Sequence, residues 1–213
     1  LDENHVGIIL SDVLMPEMDG FQLCQRIKTT LRYSHIPVVL LTAKSNVSSK
    51  IEGMEAGADA YIEKPFSTDF LLAQIANVLN NKKILKDAFL NSPYTLTDSI
   101  AGSAADEKFL EQVNGIIMEN LGDSGFSVEQ LAREIKMSRT TLDRKIKGVA
   151  YITTNDFIKL VRIKQAAKML AEHDYRINEV CYITGFTSPS YFSNCFREQF
   201  GISPKDVTKK KPQ

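Results

Sequence analysis

Three short apolar runs in the first part of the chain alternate with segments of helical period. The runs are Ile8–Leu10, Ile36–Leu41 and Ala60–Ile62, and each one ends at a polar residue followed by a turn signal. Between them, Phe21–Lys28 and Ser48–Ala56 repeat apolar residues at helical spacing. Strands that alternate with helices in this way predict an α/β domain built on a parallel sheet.

A different pattern occupies the second half, where apolar positions keep a helical period throughout. Ser127 and Ser138 stand where helix N-caps are expected, and Gln130 completes a capping box with Ser127. Short helices over 127–135 and 139–147 surround a tight turn, and the pattern returns over 177–200. We therefore predict an all-α domain with two helix-turn-helix units joined by one long helix.

The composition between these halves predicts a linker. A cap signal at Ser67–Asp69 opens a long helical stretch that Pro93 halts, and the following residues are rich in Ser, Thr, Ala and Gly. The predicted organisation is an α/β domain over 1–90, a linker over 91–106, the all-α domain over 107–208 and a basic tail over 209–213.

Composition and charge narrow the class of protein. Hydrophobic residues make up 43% and charged residues 24%, as in soluble globular proteins. Residues 1–104 hold 9 Lys and Arg against 12 Asp and Glu, whereas residues 105–213 hold 17 against 14, so only the second half favours nucleic acid. Cys24, Cys181 and Cys195 form no C-x-x-C pair, which predicts buried thiols in a reduced, cytoplasmic protein.

Chemistry-bearing residues follow all three predicted strands. Asp12, Thr42 and Lys64 stand at the ends of the apolar runs, and the ends of neighbouring parallel strands meet at one sheet edge. A carboxylate nucleophile supported by a hydroxyl and an ammonium suits a phosphoryl acceptor. Taken alone, Asp12 is more typical of a residue that starts a turn.

The segments D-V-L-M-P-E-M-D-G, L-L-T-A and Y-I-E-K-P-F around these residues resemble the second half of a response-regulator receiver domain. The resemblance implies that Asp12 is the phosphoacceptor, that Thr42 and Lys64 support the phosphate, and that Tyr61 takes part in the switch. The alternative for Tyr61 is a ring half-buried at a sheet edge.

Receivers also carry a first strand with an acidic pair for Mg²⁺, a first helix and a second strand, which have no counterpart here. Asp12 would be the remaining ligand, so we expect Mg²⁺ in the complete receiver and none bound to this piece of it. The sequence is therefore expected to be a fragment, with an apolar strand edge over Val6–Leu10 that needs a partner.

The second half resembles the AraC/XylS type of DNA-binding domain. The resemblance rests on I-T-G-F at Ile183–Phe186 and on Y-F-S-N-C-F-R-E-Q-F-G-I-S-P at Tyr191–Pro204. Val207 departs from the Tyr usual in that family. The resemblance implies double-stranded DNA as the partner and two recognition helices that enter the major groove.

Helical spacing separates the two faces of the first recognition helix. Leu142 and Ile146 lie four residues apart and are expected in the core, and the matched family positions put Thr140, Asp143 and Arg144 at base-facing places. Arg144 suits a bidentate contact to guanine, with a salt bridge to a neighbouring acid as the alternative. The predicted DNA-binding residues of this helix are Arg139, Thr140, Asp143, Arg144 and Lys147.

The second recognition helix carries an aromatic seam. Phe192, Phe196 and Phe200 repeat every four residues and are predicted to pack in the core. Family matching puts Ser190, Ser193 and Asn194 at base-facing places, and Arg197 suits a phosphate. Lys209–Lys211 would add nonspecific phosphate attraction or form a solvated tail.

These features favour a DNA-binding transcription regulator of a two-component system that is controlled by phosphorylation of Asp12. Its expected partners are DNA, a histidine kinase domain on the same or another chain, and a second copy of itself. Two alternatives are a phosphatase-like enzyme that uses the Asp12, Thr42 and Lys64 crevice, and a degenerate receiver that acts as an interaction module.

Overall fold

The structure is a computed structural model that describes residues 6–43, 47–93, 97–172 and 175–209, with the side chains of 47–50, 97–98 and 208–209 left out. The described residues form two compact units. The first unit comprises those within 1–85 and 100–109, and the second comprises those within 86–99 and 110–213.

A three-stranded parallel sheet forms the centre of the first unit. Its strands are β1 (Ile9–Asp12), β2 (Val38–Thr42) and β3 (Ala60–Glu63), in that order. The register places Asp12 opposite Leu41 and Thr42 opposite Glu63, so all three carboxyl ends reach the same edge. The helices are α1 (Gly20–Thr29), α2 (Val47–Glu55) and the part of α3 (Thr68–Asn91) up to Leu85.

Alternate residues of β2 pack into two apolar clusters. Val38 and Leu40 join α1 residues in one cluster, and Val39 joins Ile62 and Val78 in the other. Successive strand side chains point to opposite faces, so helices cover both faces of the sheet. The α/β fold predicted from the alternating pattern is confirmed.

The predicted linker over 91–106 is only partly a linker. A 3₁₀ turn forms over Thr97–Ile100 and helix α4 (Ala104–Glu119) begins within the predicted range. Asp106 is fully buried in the first unit, where its Oδ1 accepts a hydrogen bond of 2.7 Å from Ser34 Oγ. The Ser and Asp side chains of this segment are typical of loops, but here they cap a helix locally and make a contact that is distant in the sequence. The composition therefore did not reveal this structure.

The second unit is entirely helical in its described part. Helix α4 is followed by two helix-turn-helix pairs on either side of the long helix α7, and a short helix closes the chain. These helices are α5 (Val128–Glu134), α6 (Arg139–Ala150), α7 (Thr154–Glu172), α8 (Ile177–Ile183), α9 (Pro189–Phe200) and α10 (Pro204–Lys209). The predicted pair of helix-turn-helix units is confirmed.

Side-chain caps start these helices as predicted. Ser127 and Gln130 form the reciprocal capping box of α5, and Ser138 Oγ accepts from the Thr141 amide at the start of α6. The predicted end of α6 at Gly148 is wrong, because the helix continues to Ala150. Val149 and Ala150 are buried, and burying these side chains outweighs the ~1 kcal/mol cost of a glycine inside a helix.

A buried arginine on α7 organises the backbone around the second turn. The Arg162 guanidinium donates to the main-chain carbonyls of Asp123, Asn120 and Gly185. Burial lowers the pKa of Arg162. Gly185 has a φ of +77°, and a Cβ there would lie 2.4 Å from the Leu121 carbonyl oxygen and 2.9 Å from Arg162 Cζ.

The cysteines lie as predicted, since Cys24, Cys181 and Cys195 are free and buried.

Among the described residues, every helix is too short or too polar to cross a membrane.

Replacing Gly185 by Ala is expected to lower the free energy of unfolding of the second unit by about 2 kcal/mol or more, from a clash and a left-handed backbone. Gly115→Ala in α4 is the matched control: its Cβ would meet nothing within 4 Å, and it should add about 0.5–1 kcal/mol. Urea unfolding followed by circular dichroism measures both. A Gly185→Ala chain as stable as the unaltered one would contradict the packing described.

Candidate phosphoacceptor and nucleic-acid sites

Asp12 ends β1 with a partly exposed carboxylate. Its Oδ2 forms an ion pair with Lys64 Nζ, and its Oδ1 accepts a hydrogen bond of 3.2 Å from the Leu14 amide. The hydrogen bond from Lys64 is the main reason why the pKa of Asp12 lies below its ordinary value, and burial opposes it. The carboxylate is therefore ionised at neutral pH, as a nucleophile must be.

The other predicted residues of this site lie on β2 and β3. Thr42 ends β2 and is fully buried, and its carbonyl accepts a hydrogen bond of 2.6 Å from the Lys64 amide. This bond ties Lys64, which precedes a cis proline, to the strand next to Asp12. Tyr61 on β3 is half-buried, and its ring lies beside Gly53 of α2. The structure thus brings Asp12 and Lys64 into contact and places Thr42 on the strand between them.

Close packing fixes the backbone at Asp12. The Gly20 amide donates to the Val13 carbonyl over 2.9 Å, and a Cβ on Gly20 would lie 2.4 Å from the Asp12 carbonyl oxygen. Only a glycine lets the start of α1 approach this strand end so closely. The sequence showed Gly20 as a turn residue, but the close approach depends on the tertiary fold.

The described residues do not make a Mg²⁺ site of their own. None of them form a group of three or more His, Cys, Asp or Glu that could hold a metal ion. Asp19 lies near in sequence, but its Oδ1 caps α1 by accepting from the Gln22 amide over 2.8 Å. Asp12 alone is an incomplete ligand set for a cation that prefers six oxygens.

Helix α6 presents the polar face that helical spacing predicted. Leu142 and Ile146 are fully buried. The side chains of Thr140, Arg144 and Lys147 are exposed and have no hydrogen bond or ion pair within the part of the chain that the structure describes. The alternative of a salt bridge for Arg144 is not seen, and its guanidinium is available to a ligand.

Arg139 and Asp143 are held by protein partners instead. Arg139 pairs with Glu129 on α5, and its Nε lies 3.7 Å from Asp143 Oδ2. Asp143 Oδ1 also accepts from the Thr154 hydroxyl at the start of α7. Asp143 therefore links α6 to α7, whereas Arg144 projects to solvent.

Helix α9 combines a buried seam with an exposed polar side. Phe192 and Phe196 are fully buried, and the ring centroids of Phe196 and Phe200 lie 5.1 Å apart. Outside the seam, Ser190, Asn194 and Arg197 are exposed and Ser193 is half-buried. Arg197 Nη2 donates to Asn194 Oδ1 over 3.0 Å, which leaves the Asn194 amide hydrogens to face an acceptor.

Tyr191 is a residue that sequence reasoning did not assign to the surface. Its side chain is 54% exposed beside Ser190, and its ring centroid lies 6.1 Å from that of Phe186. The signal for its exposure was its position directly before Phe192 of the buried seam. Neighbouring helix residues point about 100° apart, so Tyr191 points away from that seam. Of the predicted basic tail, residues 210–213 and the side chain of Lys209 lie outside the described residues.

Comparison with known proteins identifies both units. Residues 1–76 match the response regulator receiver domain, and residues 131–210 match a helix-turn-helix domain. The chain is 42% identical to histidine kinase P4 of Formosa agariphila over 95% of this chain and 15% of that protein. It is 31% identical to the uncharacterized transcriptional regulatory protein YclJ of Bacillus subtilis over 81% of this chain and 74% of that protein.

Among solved structures, the chain is similar to the C-terminal domain of AraT, a response regulator from Geobacillus stearothermophilus. The identity is 23% with a TM-score of 0.44, over 48% of this chain and 85% of that one.

A parallel sheet with an Asp–Lys pair at its carboxyl edge, followed by two helix-turn-helix units, is the arrangement of a receiver domain joined to a DNA-binding domain. The chain belongs to the response regulators of two-component systems, and it combines a receiver domain with an AraC-type helix-turn-helix domain.

The Asp12–Lys64 pair predicts a pH dependence of stability. Because the pKa of Asp12 is lower folded than unfolded, its stabilising effect is present above about pH 4 and is lost as the pH falls through the folded value. Asp12→Asn should therefore lose less stability on acidification than the unaltered chain, measured by urea unfolding between about pH 3 and 6. Glu17→Gln removes an exposed carboxylate nearby and serves as the control. Identical acid sensitivity of the Asp12→Asn and unaltered chains would contradict the pair.

Proposed function

We propose that this chain is the output portion of a phosphorylation-controlled regulator that binds specific DNA sequences. Phosphorylation of Asp12 in the complete receiver would change DNA binding by the helix-turn-helix units, and the active form would be a cytoplasmic homodimer. Because the chain spans 15% of histidine kinase P4, that likeness favours a kinase on the same polypeptide as the phosphate donor.

The main support for the proposed DNA binding is the exposed cationic face of α6. Arg144 and Lys147 project from a helix whose opposite residues Leu142 and Ile146 are buried, and both cations are unpaired within the described structure. Thr140 lies on the same exposed side. An unpaired guanidinium on a recognition helix can bind both acceptors of a guanine without first breaking a protein ion pair.

Helix α9 supports a second, less charged contact. Ser190 and Asn194 offer hydroxyl and amide groups to base edges, and Arg197 supports a phosphate contact. Tyr191 adds an exposed phenol next to Ser190. We propose that α9 reads its part of the site with smaller energies than α6, since its exposed polar side carries one Asn and no unpaired guanidinium.

The Asp12–Lys64 pair supports the phosphoswitch. In the proposed step an Asp12 oxygen attacks the phosphorus of a phosphohistidine, the P–N bond breaks, and the histidine nitrogen leaves. Lys64 stands beside the attacking carboxylate and would balance charge on the phosphoryl oxygens. The alternative of a degenerate receiver that only mediates interactions predicts the same fold without this step.

DNA binding can be tested with Arg144→Ala. DNA sequences are first selected from a random pool by the unaltered chain, and affinity is then measured for single base changes. Arg144→Ala should remove about 1–3 kcal/mol of discrimination at one base pair, and Asn194→Ala should remove less at another. Arg26→Ala removes an exposed arginine from the first unit and is the control. Unchanged base preference in both variants would contradict the assigned faces.

The phosphoswitch is tested in a longer chain that includes the acidic pair of the receiver. Acetyl phosphate with Mg²⁺ should add one phosphoryl group, seen by mass spectrometry, and should raise DNA affinity. Asp12→Asn should abolish both effects, because its amide is a poor nucleophile. If the longer chain binds DNA but takes up no phosphate at Asp12, the switch is wrong and the interaction module is favoured.

A further inference from the structure

The last turn of helix α3 belongs to the second unit, although the helix begins in the first. Lys86–Asn91 fall within the second unit, and Phe89 among them is fully buried. The centroid of the Phe89 ring lies 6.1 Å from that of Phe157 on α7, which is also fully buried. We name residues 86–92 the docking segment.

Two side chains of the second unit bind the carbonyl groups at the end of this segment. Lys164 Nζ on α7 donates to the Ser92 carbonyl over 2.6 Å, and Gln199 Nε2 on α9 donates to the Leu90 carbonyl over 2.7 Å. The last carbonyls of a helix have no partner within the helix, so side chains that donate to them fix its end. Gln199 is therefore a direct link between the docking segment and the second recognition helix.

Aromatic contacts strengthen the same attachment. Lys164 Nζ lies 4.5 Å from the centroid of the Phe89 ring, and Lys86 Nζ lies 4.9 Å from that of Tyr151. A cation over an aromatic face is favourable, above all where water is excluded, and Lys164 is buried. Burial lowers the pKa of Lys164 to about 8.

We propose that the docking segment positions α9 for base readout, with Gln199 as the positioning residue that transmits its placement. This inference rests on the proposed DNA-binding function. The predicted DNA-facing residues Ser190, Asn194 and Arg197 are exposed while Gln199 is bound to Leu90, so the attachment supports DNA binding rather than blocks it. The hydrogen bonds that the test removes come from α7 and α9, and the contact beside α6, that of Lys86 with Tyr151, is left in place, so the effect is expected at α9.

The test uses the whole chain and the DNA sequence that it selects from a random pool. Gln199→Ala removes the bond to Leu90, and Lys164→Met removes the bond to Ser92 with little change of side-chain length. Both should weaken binding about 2- to 10-fold, the range expected for one hydrogen bond, and should flatten base preference where Asn194→Ala does. Base preference at the pairs that depend on Arg144 should stay unchanged. Gln112→Ala, an exposed glutamine of α4, is the matched control.

The outcomes separate this inference from the proposed function. If the unaltered chain selects no DNA, the DNA-binding function fails. If DNA is selected and Gln199→Ala matches Gln112→Ala in affinity and base preference, positioning by the docking segment is wrong. Folded Gln199→Ala and Lys164→Met chains could also lose base preference equally at the base pairs read by α6 and by α9. That result would show a purely structural role for these residues and would overturn positioning by the docking segment.

Discussion

The second unit depends on two buried cations of α7 that satisfy main-chain carbonyls. Arg162 donates to carbonyls after α4 and at the turn between α8 and α9, and Lys164 donates to Ser92 at the end of α3. Transfer of a cation from water costs several kcal/mol, so it is tolerated only where hydrogen bonds offset much of that cost, as those of Arg162 Nη1 and Nη2 do. Carbonyls at helix ends carry partial negative charge, which makes them suitable partners when no carboxylate is in place.

This arrangement explains how short helices keep a defined geometry. Helices of seven residues such as α5 and α8 are unstable alone, because nucleation is costly and few hydrogen bonds follow. Each one is closed by a side-chain or backbone cap; α8 packs on α7 and α5 packs on α6. Phe157, Leu160 and Ile163 of α7 enter the core. The exposed sides of α6 and α9 are then free to carry residues chosen for a ligand rather than for stability.

In the first unit, the ion pair at the sheet edge is partly exposed, unlike the buried cations of α7. Asp12 and Lys64 remain partly exposed, so solvent screens their attraction and the carboxylate stays accessible. Thr42 is fully buried next to them. The backbone of Lys64 is held by its hydrogen bond to the Thr42 carbonyl, so its side chain stays beside Asp12.

Local signals allowed much of this to be predicted from the sequence. Strand ends, the caps at Ser127 and Ser138, and the buried seam of Phe192 and Phe196 depend on residues within a few positions of each other. The pairing of Arg139 with Glu129 and the burial of Lys164 depend on tertiary contacts, and charged residues are usually expected at the surface. For the same reason the contact of Ser34 with Asp106 could not be read from a segment with loop composition.

The segment between the two units is more regular than its composition predicted. A linker rich in Gly and Ser is flexible. Instead, α3 runs without a break from the first unit to Asn91, and α4 begins in the first unit and continues into the second. Leu71 and Val78 of α3 pack against the sheet, whereas Phe89 of the same helix is buried in the second unit. One helix therefore contributes to both hydrophobic cores, because its apolar residues change partners at the unit boundary without a break in the backbone.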